Sequence, residues 1–257
     1  MIKRRSWPIP SRYGFSATTS KYRSTTRRPT RPGRECDGSF ASRSRIAEDA
    51  LNMAVDAGTT QLVVLGAGLD TLAYRTPLAG RLGIFEVDHP ATQARKREML
   101  AAAAIAEPET LSFVPVDFER EKLSERLDAA GFKSDERSFF SWLGVVPYLT
   151  EDAIFSTLGF IAQLPGGAEV VFDYVNPATS IPAAGRAAHQ ALAGRVAAVG
   201  ERFQSYLDAA SLCAKMSAAG FRHVDDIGPA ELAARFFPET ERAAPTRGGH
   251  IMHASTF

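Results

Sequence analysis

The chain is short of the features that define several common classes of protein. It has two cysteines, Cys36 and Cys213, which are too few for a disulfide framework or a cysteine-based metal site and fit a reducing cytoplasm. It has no run of about 18 apolar residues, so we expect no transmembrane helix and no membrane partner. The formal net charge is +1, and 45% of the 257 residues are hydrophobic, as in ordinary soluble proteins. What remains is a globular chain long enough to bury a sizeable core in one domain.

Charge is unevenly distributed along the chain. Residues 1–46 hold 12 Lys and Arg against two acids and carry +10, so the remaining residues carry −9. An acidic body with a basic tail does not match a nucleic-acid-binding domain, and we predict no nucleic-acid partner. Residues 1–38 are rich in Arg, Ser, Thr and Pro without a helical or strand period, which predicts a disordered basic tail. Organelle transit peptides share this composition, but four prolines argue against the amphipathic helix that they form.

From residue 39 onwards, segments with a helical period alternate with short apolar runs. This alternation is typical of βαβ units and predicts an α/β domain over 39–257, with a mostly parallel sheet and helices on both faces. The predicted strands are 61–66, 81–88, 111–117, 137–144, 168–175, 222–228 and 249–256. The predicted helices are 40–58, 91–106, 121–131, 150–164, 206–221 and 229–237, and the Ala- and Gly-rich stretch 176–204 is interpreted as an insertion above the sheet, over an acceptor site.

The residues that end the first two predicted strands suit a nucleotide. Ligands of open parallel sheets bind beyond the carboxyl ends of the strands, where Gly66 and Gly68 permit a tight turn and close approach. The third glycine of the dinucleotide pattern is missing, so an ordinary strand-to-helix turn is the alternative. Asp88 ends the second strand, where an acid can accept hydrogen bonds from both ribose hydroxyls. Its alternative role is to cap the helix that Pro90 opens.

The third strand ends in Asp117 and Phe118. A carboxylate can accept a hydrogen bond from an adenine amino group, and an aromatic neighbour supplies apolar surface for the ring. A nicotinamide enzyme has no particular need of an acid at this place. The three strand ends together therefore favour an adenosine whose other end is not a pyrophosphate, such as S-adenosyl-L-methionine.

Seven blocks of the sequence carry a resemblance to a known family. They are RSRIAEDAL, VVLGAGLDTLAYR, FEVDHPATQARKREML, FVPVDFE, FFSWLGVVPYLTEDAI, VVFDYV and GFRHVDDIGPAELAARFF, in this order over about residues 40–257. In these blocks the chain resembles the leucine carboxyl methyltransferase-like family of S-adenosylmethionine-dependent O-methyltransferases. Its bacterial members are often linked to polyketide-type secondary metabolites.

The resemblance implies a fold, a cofactor and several binding residues. The expected fold is the Rossmann-like class I methyltransferase sheet of seven strands with the last strand antiparallel. S-adenosyl-L-methionine would be bound at the ribose by Asp88 and at the adenine by Asp117 and Phe118. Arg43 would pair with the methionine carboxylate, with a plain surface charge as the alternative. Asp70 would contact the amino group of the cofactor or cap the following helix.

The chain departs from the family in two places. Many members carry a W-x-E-G block at the fourth strand, near the methionine end of the cofactor, where this chain has Trp142-Leu143-Gly144-Val145. One subgroup resembles this chain in having a WLGV-x-YLT form. The family also has an ordered helical segment at the N-terminus, which the basic tail does not resemble.

Methyl transfer to oxygen on a small-molecule acceptor is the function that we predict from the sequence. A hydroxyl acceptor needs a general base and a carboxylate acceptor does not. The candidate catalytic residues are Tyr148, Asp173 and Tyr174, for each of which a structural role is the alternative. His250 and His253 are an odd number of residues apart in a strand and face opposite ways, so we predict no metal. A cofactor-binding protein without turnover and a nicotinamide-dependent oxidoreductase remain as alternative functions.

Overall fold

A computed structural model of the chain describes residues 34–118, 120–181, 203–236 and 249–257, with residues 183, 186, 187, 190, 191 and 194 between them. The strands are β1 Gln61–Leu65, β2 Gly83–Asp88, β3 Leu111–Pro115, β4 Ser138–Trp142, β5 Ala168–Val175, β6 His223–Ile227 and β7 Gly249–Ser255. The helices of four or more residues are α1 Arg34–Asp56, α2 Leu72–Arg75, α3 Pro90–Ala102, α4 Leu123–Ala129, α5 Glu151–Ala162, α6 Ala209–Ala219 and α7 Pro229–Phe236.

The seven strands form a single sheet in the order β3-β2-β1-β4-β5-β7-β6. The pairs among β1 to β5 are parallel, and β7 is antiparallel to both β5 and β6. The order reverses between β1 and β4, and this switch point is where an open α/β sheet holds its ligand. The α/β fold and the antiparallel last strand confirm the predicted class I methyltransferase fold.

Two apolar layers cover the sheet. One layer packs α4, α5 and α6 against side chains such as Phe140, Trp142 and Phe172. The other packs α1 and α2 against Leu62, Val64 and neighbouring residues. Every residue of β1 and β4 is buried, which explains why these central strands lack a regular alternation of apolar and polar residues. The edge strand β6 instead alternates between exposed and partly buried positions up to Ile227.

The element boundaries differ from the predicted ones where packing ends. Helix α1 begins at Arg34, inside the segment predicted to be a disordered tail. Residues 1–33 lie outside the described part of the chain, so the rest of that prediction stays a prediction. Helix α3 ends at Ala102 rather than 106 because residues 101–107 are exposed and no apolar layer supports a further turn. Most of the insertion predicted at 176–204 also lies outside the described residues.

Among the described helices, none combines the length and the apolar character needed to cross a bilayer.

Candidate functional site

A glycine turn follows β1 at the switch point of the sheet. Gly66 and Gly68 both have positive φ, at +65° and +47°, a region that side chains other than glycine rarely adopt. The backbone N–H groups of Gly66 and Ala67 both donate to the Val87 carbonyl, at 2.8 and 3.1 Å. A Cβ atom on Gly66 would collide with the side chain of Val145, which follows β4. The turn is therefore packed between the carboxyl ends of β2 and β4 and requires glycine at position 66.

Asp88 lies against this turn. One carboxylate oxygen accepts a hydrogen bond from the Gly68 N–H, and the other accepts from the His89 N–H at 2.6 Å. The cap of α3 is His89, whose Nδ1 accepts from the Ala91 N–H at 3.2 Å. The alternative role of Asp88 as a helix cap is thus taken by its neighbour. Asp88 is half-buried at the carboxyl end of β2, and these two bonds occupy two of the about four lone-pair sites of its carboxylate.

Asp70 ends the glycine turn just before Thr71, the N-cap residue of α2. Its Oδ1 accepts from the Leu72 N–H at 2.6 Å, at the start of α2. The sequence predicted two alternatives for Asp70, a bond at the start of this helix or contact with the amino group of the cofactor. The Asp70 carbonyl accepts from Lys96 Nζ at 2.7 Å, so α3 also holds the turn.

A buried ion pair beneath the turn was not anticipated from the sequence. Lys96 Nζ lies 2.5 Å from Glu86 Oε2, and the two side chains are 5% and 2% exposed. Burial raises the pKa of Glu86, against the opposing effect of the hydrogen bond from Lys96. Burial and then the charge of Glu86 raise the pKa of nearby Tyr74 to about 12. We call Lys96, Glu86 and Tyr74 the sealed cluster.

Asp117 and Phe118 follow β3, which ends at Pro115, two residues earlier than predicted. The Val116 N–H still donates to the Asp88 carbonyl at 2.8 Å, so the chain keeps the level of β2 up to this point. The Asp117 N–H donates to Glu121 Oε2 at 2.9 Å, and Phe118 packs half-buried against the core. Phe118 also lines a cavity of about 180 Å³ between α4 and α5.

Arg43 and Asp173 form an ion pair across 130 residues of sequence, with Arg43 Nη1 2.7 Å from Asp173 Oδ2. The second carboxylate oxygen of Asp173 accepts from the Gly144 N–H. Gly144 has φ +76°, and a Cβ atom there would lie 2.7 Å from Arg43 Nη2. The two side chains are 21% and 19% exposed, so Arg43 is more than a surface charge. We call Arg43, Asp173 and Gly144 the open pair.

Tyr174, one of the candidate catalytic residues, is 1% exposed. Its O–H donates to Asp226 Oδ1 at 2.7 Å, and burial is the largest of the effects that raise its pKa above the ordinary value for tyrosine. His250 Nδ1 lies 2.9 Å from the same oxygen, and its Nε2 lies 2.8 Å from Asn176 Nδ2. The Tyr174 hydroxyl is thus engaged by Asp226 within the buried layer.

Tyr148 stays at the carboxyl edge of the sheet. It is half-buried after β4, with its ring centroid 5.5 Å from that of Phe203. Its carbonyl accepts from Gln204 Nε2 at 2.7 Å. Of the three candidate catalytic residues, Asp173 belongs to the open pair and Tyr174 to the buried layer, so Tyr148 remains the candidate by location.

The described residues contain no group of three or more His, Cys, Asp or Glu that could hold a metal ion. His253 pairs with Glu169 at 2.9 Å, away from His250. A cavity of about 370 Å³ is lined by residues such as Gly166 and Thr256 at the amino end of β5, the opposite edge of the sheet from the glycine turn. Its position separates it from the residues described above.

Sheet order, glycine turn and the acid that ends β2 define a class I, nucleoside-binding α/β protein. Residues 7–162 match the family model described as leucine carboxyl methyltransferase, and the chain belongs to that family. The match begins within the N-terminal segment that the sequence analysis set apart from the family. The family predicted from the sequence is thereby confirmed.

Two relatives carry descriptions that agree with this membership. The Bacillus subtilis protein named "Putative S-adenosyl-L-methionine-dependent methyltransferase YktD" is 40% identical over 137 residues, which cover 52% of this chain and 45% of that protein. A relative of the same description from Mycobacterium sp. (strain KMS) is 35% identical over 143 residues, covering 55% and 46%. The chain spans about half the length of these curated relatives.

Among solved structures, magnesium protoporphyrin IX methyltransferase from Synechocystis PCC 6803, with bound SAH, has a TM-score of 0.52 at 8% identity. That alignment covers 89% of this chain and 90% of the other. The methyltransferase SibL in its apo form has a TM-score of 0.52 at 12% identity, over 87% and 56%. At such identities the likeness shows the fold alone.

Proposed function

We propose that the protein binds S-adenosyl-L-methionine and transfers its methyl group to an oxygen, a carboxylate or a hydroxyl, of a small molecule. The observation that carries the proposal is the glycine turn bonded to Asp88 at the switch point, in a chain of the leucine carboxyl methyltransferase family. The named relatives are described as dependent on the same cofactor.

The residues present fit this cofactor. Gly66 and Gly68 leave the backbone accessible to the methionine half, and Asp88 has lone pairs for the ribose hydroxyls. Asp117 and Phe118 follow the neighbouring strand, as expected for residues that hold an adenine. Arg43 suits the methionine carboxylate because a guanidinium binds carboxylates through two parallel hydrogen bonds.

When bound, the cofactor supplies an electrophilic methyl group, which a nucleophilic oxygen attacks in line. The protein contributes by positioning and by excluding water, since holding two reactants in attack geometry removes most of the entropic part of the barrier. A carboxylate acceptor would need no further group. A hydroxyl acceptor would need a base, for which Tyr148 is the candidate at this edge. We propose a cytoplasmic enzyme with a small-molecule partner.

Calorimetry tests the cofactor. We expect S-adenosylhomocysteine to bind and NAD not to bind, because Asp117 and the missing third glycine disfavour a dinucleotide. Asp88→Ala should lower the affinity for S-adenosylhomocysteine by roughly tenfold to a hundredfold, because the hydrogen bonds to the ribose are accepted by a charged group. Binding of NAD in place of S-adenosylhomocysteine would identify an oxidoreductase.

Turnover is tested separately from binding. The protein is incubated with S-adenosyl-L-methionine and panels of small carboxylic acids and phenols, and S-adenosylhomocysteine formation is measured. An acceptor-dependent signal, lost in Asp88→Ala, is expected. Tight cofactor binding with no turnover on either panel would favour a binding protein without methyl transfer.

A further inference from the structure

The open pair lies beside the glycine turn. The parallel registers align Val64 with Ser141, and Ser141 with Val171. Two residues further along each strand, Gly66 and Asp173 therefore stand at the same level on either side of the β4 end. Strands in a sheet are about 4.8 Å apart, so these two positions are separated by about 10 Å. A cofactor whose methionine end passes over Gly66 comes within reach of the Asp173 side chain.

An acidic side chain at position 144 would be strained, because the Gly144 backbone has positive φ. Gly144 is the third residue of the block in which many family members have W-x-E-G. Here the space beside the Gly144 Cα is filled by the Arg43 guanidinium, and its backbone has positive φ. A carboxylate nevertheless lies at this place, because Asp173 reaches across from β5 and accepts the Gly144 N–H.

The Asp173 carboxylate retains capacity for another donor. Two ionised oxygens offer about four lone-pair sites, of which the Gly144 N–H and Arg43 Nη1 occupy two. The side chain is 19% exposed, so the group is reachable from the edge of the sheet. Arg43 and Asp173 thus present a positive and a negative group side by side. An amino-acid end group is a zwitterion with the opposite charges at similar spacing.

We propose that Asp173 binds the ammonium group of the methionine end of the cofactor, taking the place of the acidic side chain that position 144 lacks, while Arg43 binds the neighbouring carboxylate. The inference rests on the proposed cofactor and assigns Asp173 to cofactor recognition rather than to proton transfer. A carboxylate is the natural acceptor for an ammonium group, because hydrogen bonds between ionised partners are the strong ones.

Ligands that lack parts of the amino-acid end test this assignment by calorimetry. S-adenosylhomocysteine has both charged groups, decarboxylated S-adenosylmethionine has the amino group alone, and methylthioadenosine has neither. Asp173→Asn should lower the affinity for S-adenosylhomocysteine and for decarboxylated S-adenosylmethionine by roughly tenfold to a hundredfold. The affinity for methylthioadenosine should stay unchanged. Arg43→Met should lower the affinity for S-adenosylhomocysteine alone. Asp88→Asn is the matched control, because all three ligands share the ribose and their affinities should fall together.

Three outcomes would overturn the inference. Asp173→Asn with wild-type affinity for S-adenosylhomocysteine, or with equal losses for all three ligands, means that Asp173 does not contact the amino group. Wild-type protein that binds none of the ligands at millimolar concentration means instead that the proposed cofactor is wrong. If Asp173→Asn fails to fold, Asp173→Ser replaces it, since a hydroxyl can still accept from Gly144 without the charge.

Discussion

Two ion pairs serve the same edge of the sheet in opposite surroundings. In the sealed cluster, Lys96 and Glu86 are 5% and 2% exposed, whereas Arg43 and Asp173 of the open pair are 21% and 19% exposed. Each pair also binds a backbone group of a strand-end loop: Lys96 donates to the Asp70 carbonyl, and Asp173 accepts from the Gly144 N–H. The chemistry is alike, but only one pair is accessible to a ligand.

The difference in exposure indicates that the sealed ion pair supports the glycine turn, whereas the open pair is available to bind a ligand. Burying two charges costs more desolvation than a well-packed apolar pair, so a sealed ion pair is poor evidence for stability in itself. Its role here lies in a further hydrogen bond, from Lys96 Nζ to the Asp70 carbonyl, which holds the end of the glycine turn. The open pair keeps contact with solvent and therefore retains lone pairs and charge for a ligand.

Lys96→Met should have the largest effect on stability. It leaves Glu86 buried without its partner, and breaking one side of a buried pair costs about 3–5 kcal/mol. Urea unfolding at pH 7 measures this loss. The double variant Lys96→Met with Glu86→Leu should recover most of it, because both charges are gone; a double variant as unstable as the single one would contradict this view of the sealed cluster.

Gly144→Ala should have the next largest effect. An alanine with positive φ and a methyl group against Arg43 should cost about 2 kcal/mol and push the guanidinium away from Asp173. Urea unfolding measures the loss of stability. Calorimetry with S-adenosylhomocysteine should show weaker binding, which reports the displacement of the guanidinium. Gly131→Ala is a matched control, since Gly131 also has positive φ but an added Cβ would meet no atom within 4 Å. Equal losses of ligand affinity in both variants would mean that the open pair is not involved.

Arg43→Met should cost about 1 kcal/mol or less, because partly exposed ion pairs contribute little. Its loss of unfolding free energy should be several times smaller than that of Lys96→Met in the same urea experiment. A cost as large as that of Lys96→Met would show that the two pairs do not differ in the way their exposure indicates.

Tyr74→Phe should change stability least at neutral pH. The Tyr74 hydroxyl is buried and has no hydrogen-bond partner among the residues that the structure describes, so its removal is expected to be neutral or to stabilise by about 1 kcal/mol. Because burial raises the pKa of this phenol to about 12, wild-type stability relative to the variant is constant below about pH 10. It should fall as the pH rises towards 12, since only the unfolded chain ionises readily there. Chemical unfolding at a series of alkaline pH values checks the slope, and identical slopes in the two proteins would contradict it.

The sequence predicts local features of the fold well and the partners of buried charges poorly. The bounds of β5 are the same in prediction and structure, because AEVVFDYV is an apolar run that Gly167 precedes and Pro177 follows closely. Asp88 could be chosen because it ends a strand. Lys96, in contrast, lies in a charged stretch, RKRE, with no signal that one of its charges is buried. The pairing of Arg43 with Asp173 depends on how α1 packs on β5, over 130 residues of sequence.

The start of α1 illustrates the same limit. Residues 34–38 end in Gly38, which weakens a helix locally, and the sequence placed them at the end of the predicted tail. The structure continues the helix through them to Arg34. Helix propensity is a weak prior, and the apolar side of α1 from Ile46 to Val55 is anchored in the core.

The Val87 carbonyl, which accepts hydrogen bonds from two consecutive N–H groups of the glycine turn, has a thermodynamic consequence. With Asp88 and Lys96 also attached, the turn is already ordered before any ligand arrives. Association then loses little backbone freedom at this place, which is the advantage of preorganisation. The heat capacity change on binding should accordingly report the apolar area that the ligand buries, with no contribution from folding of the turn.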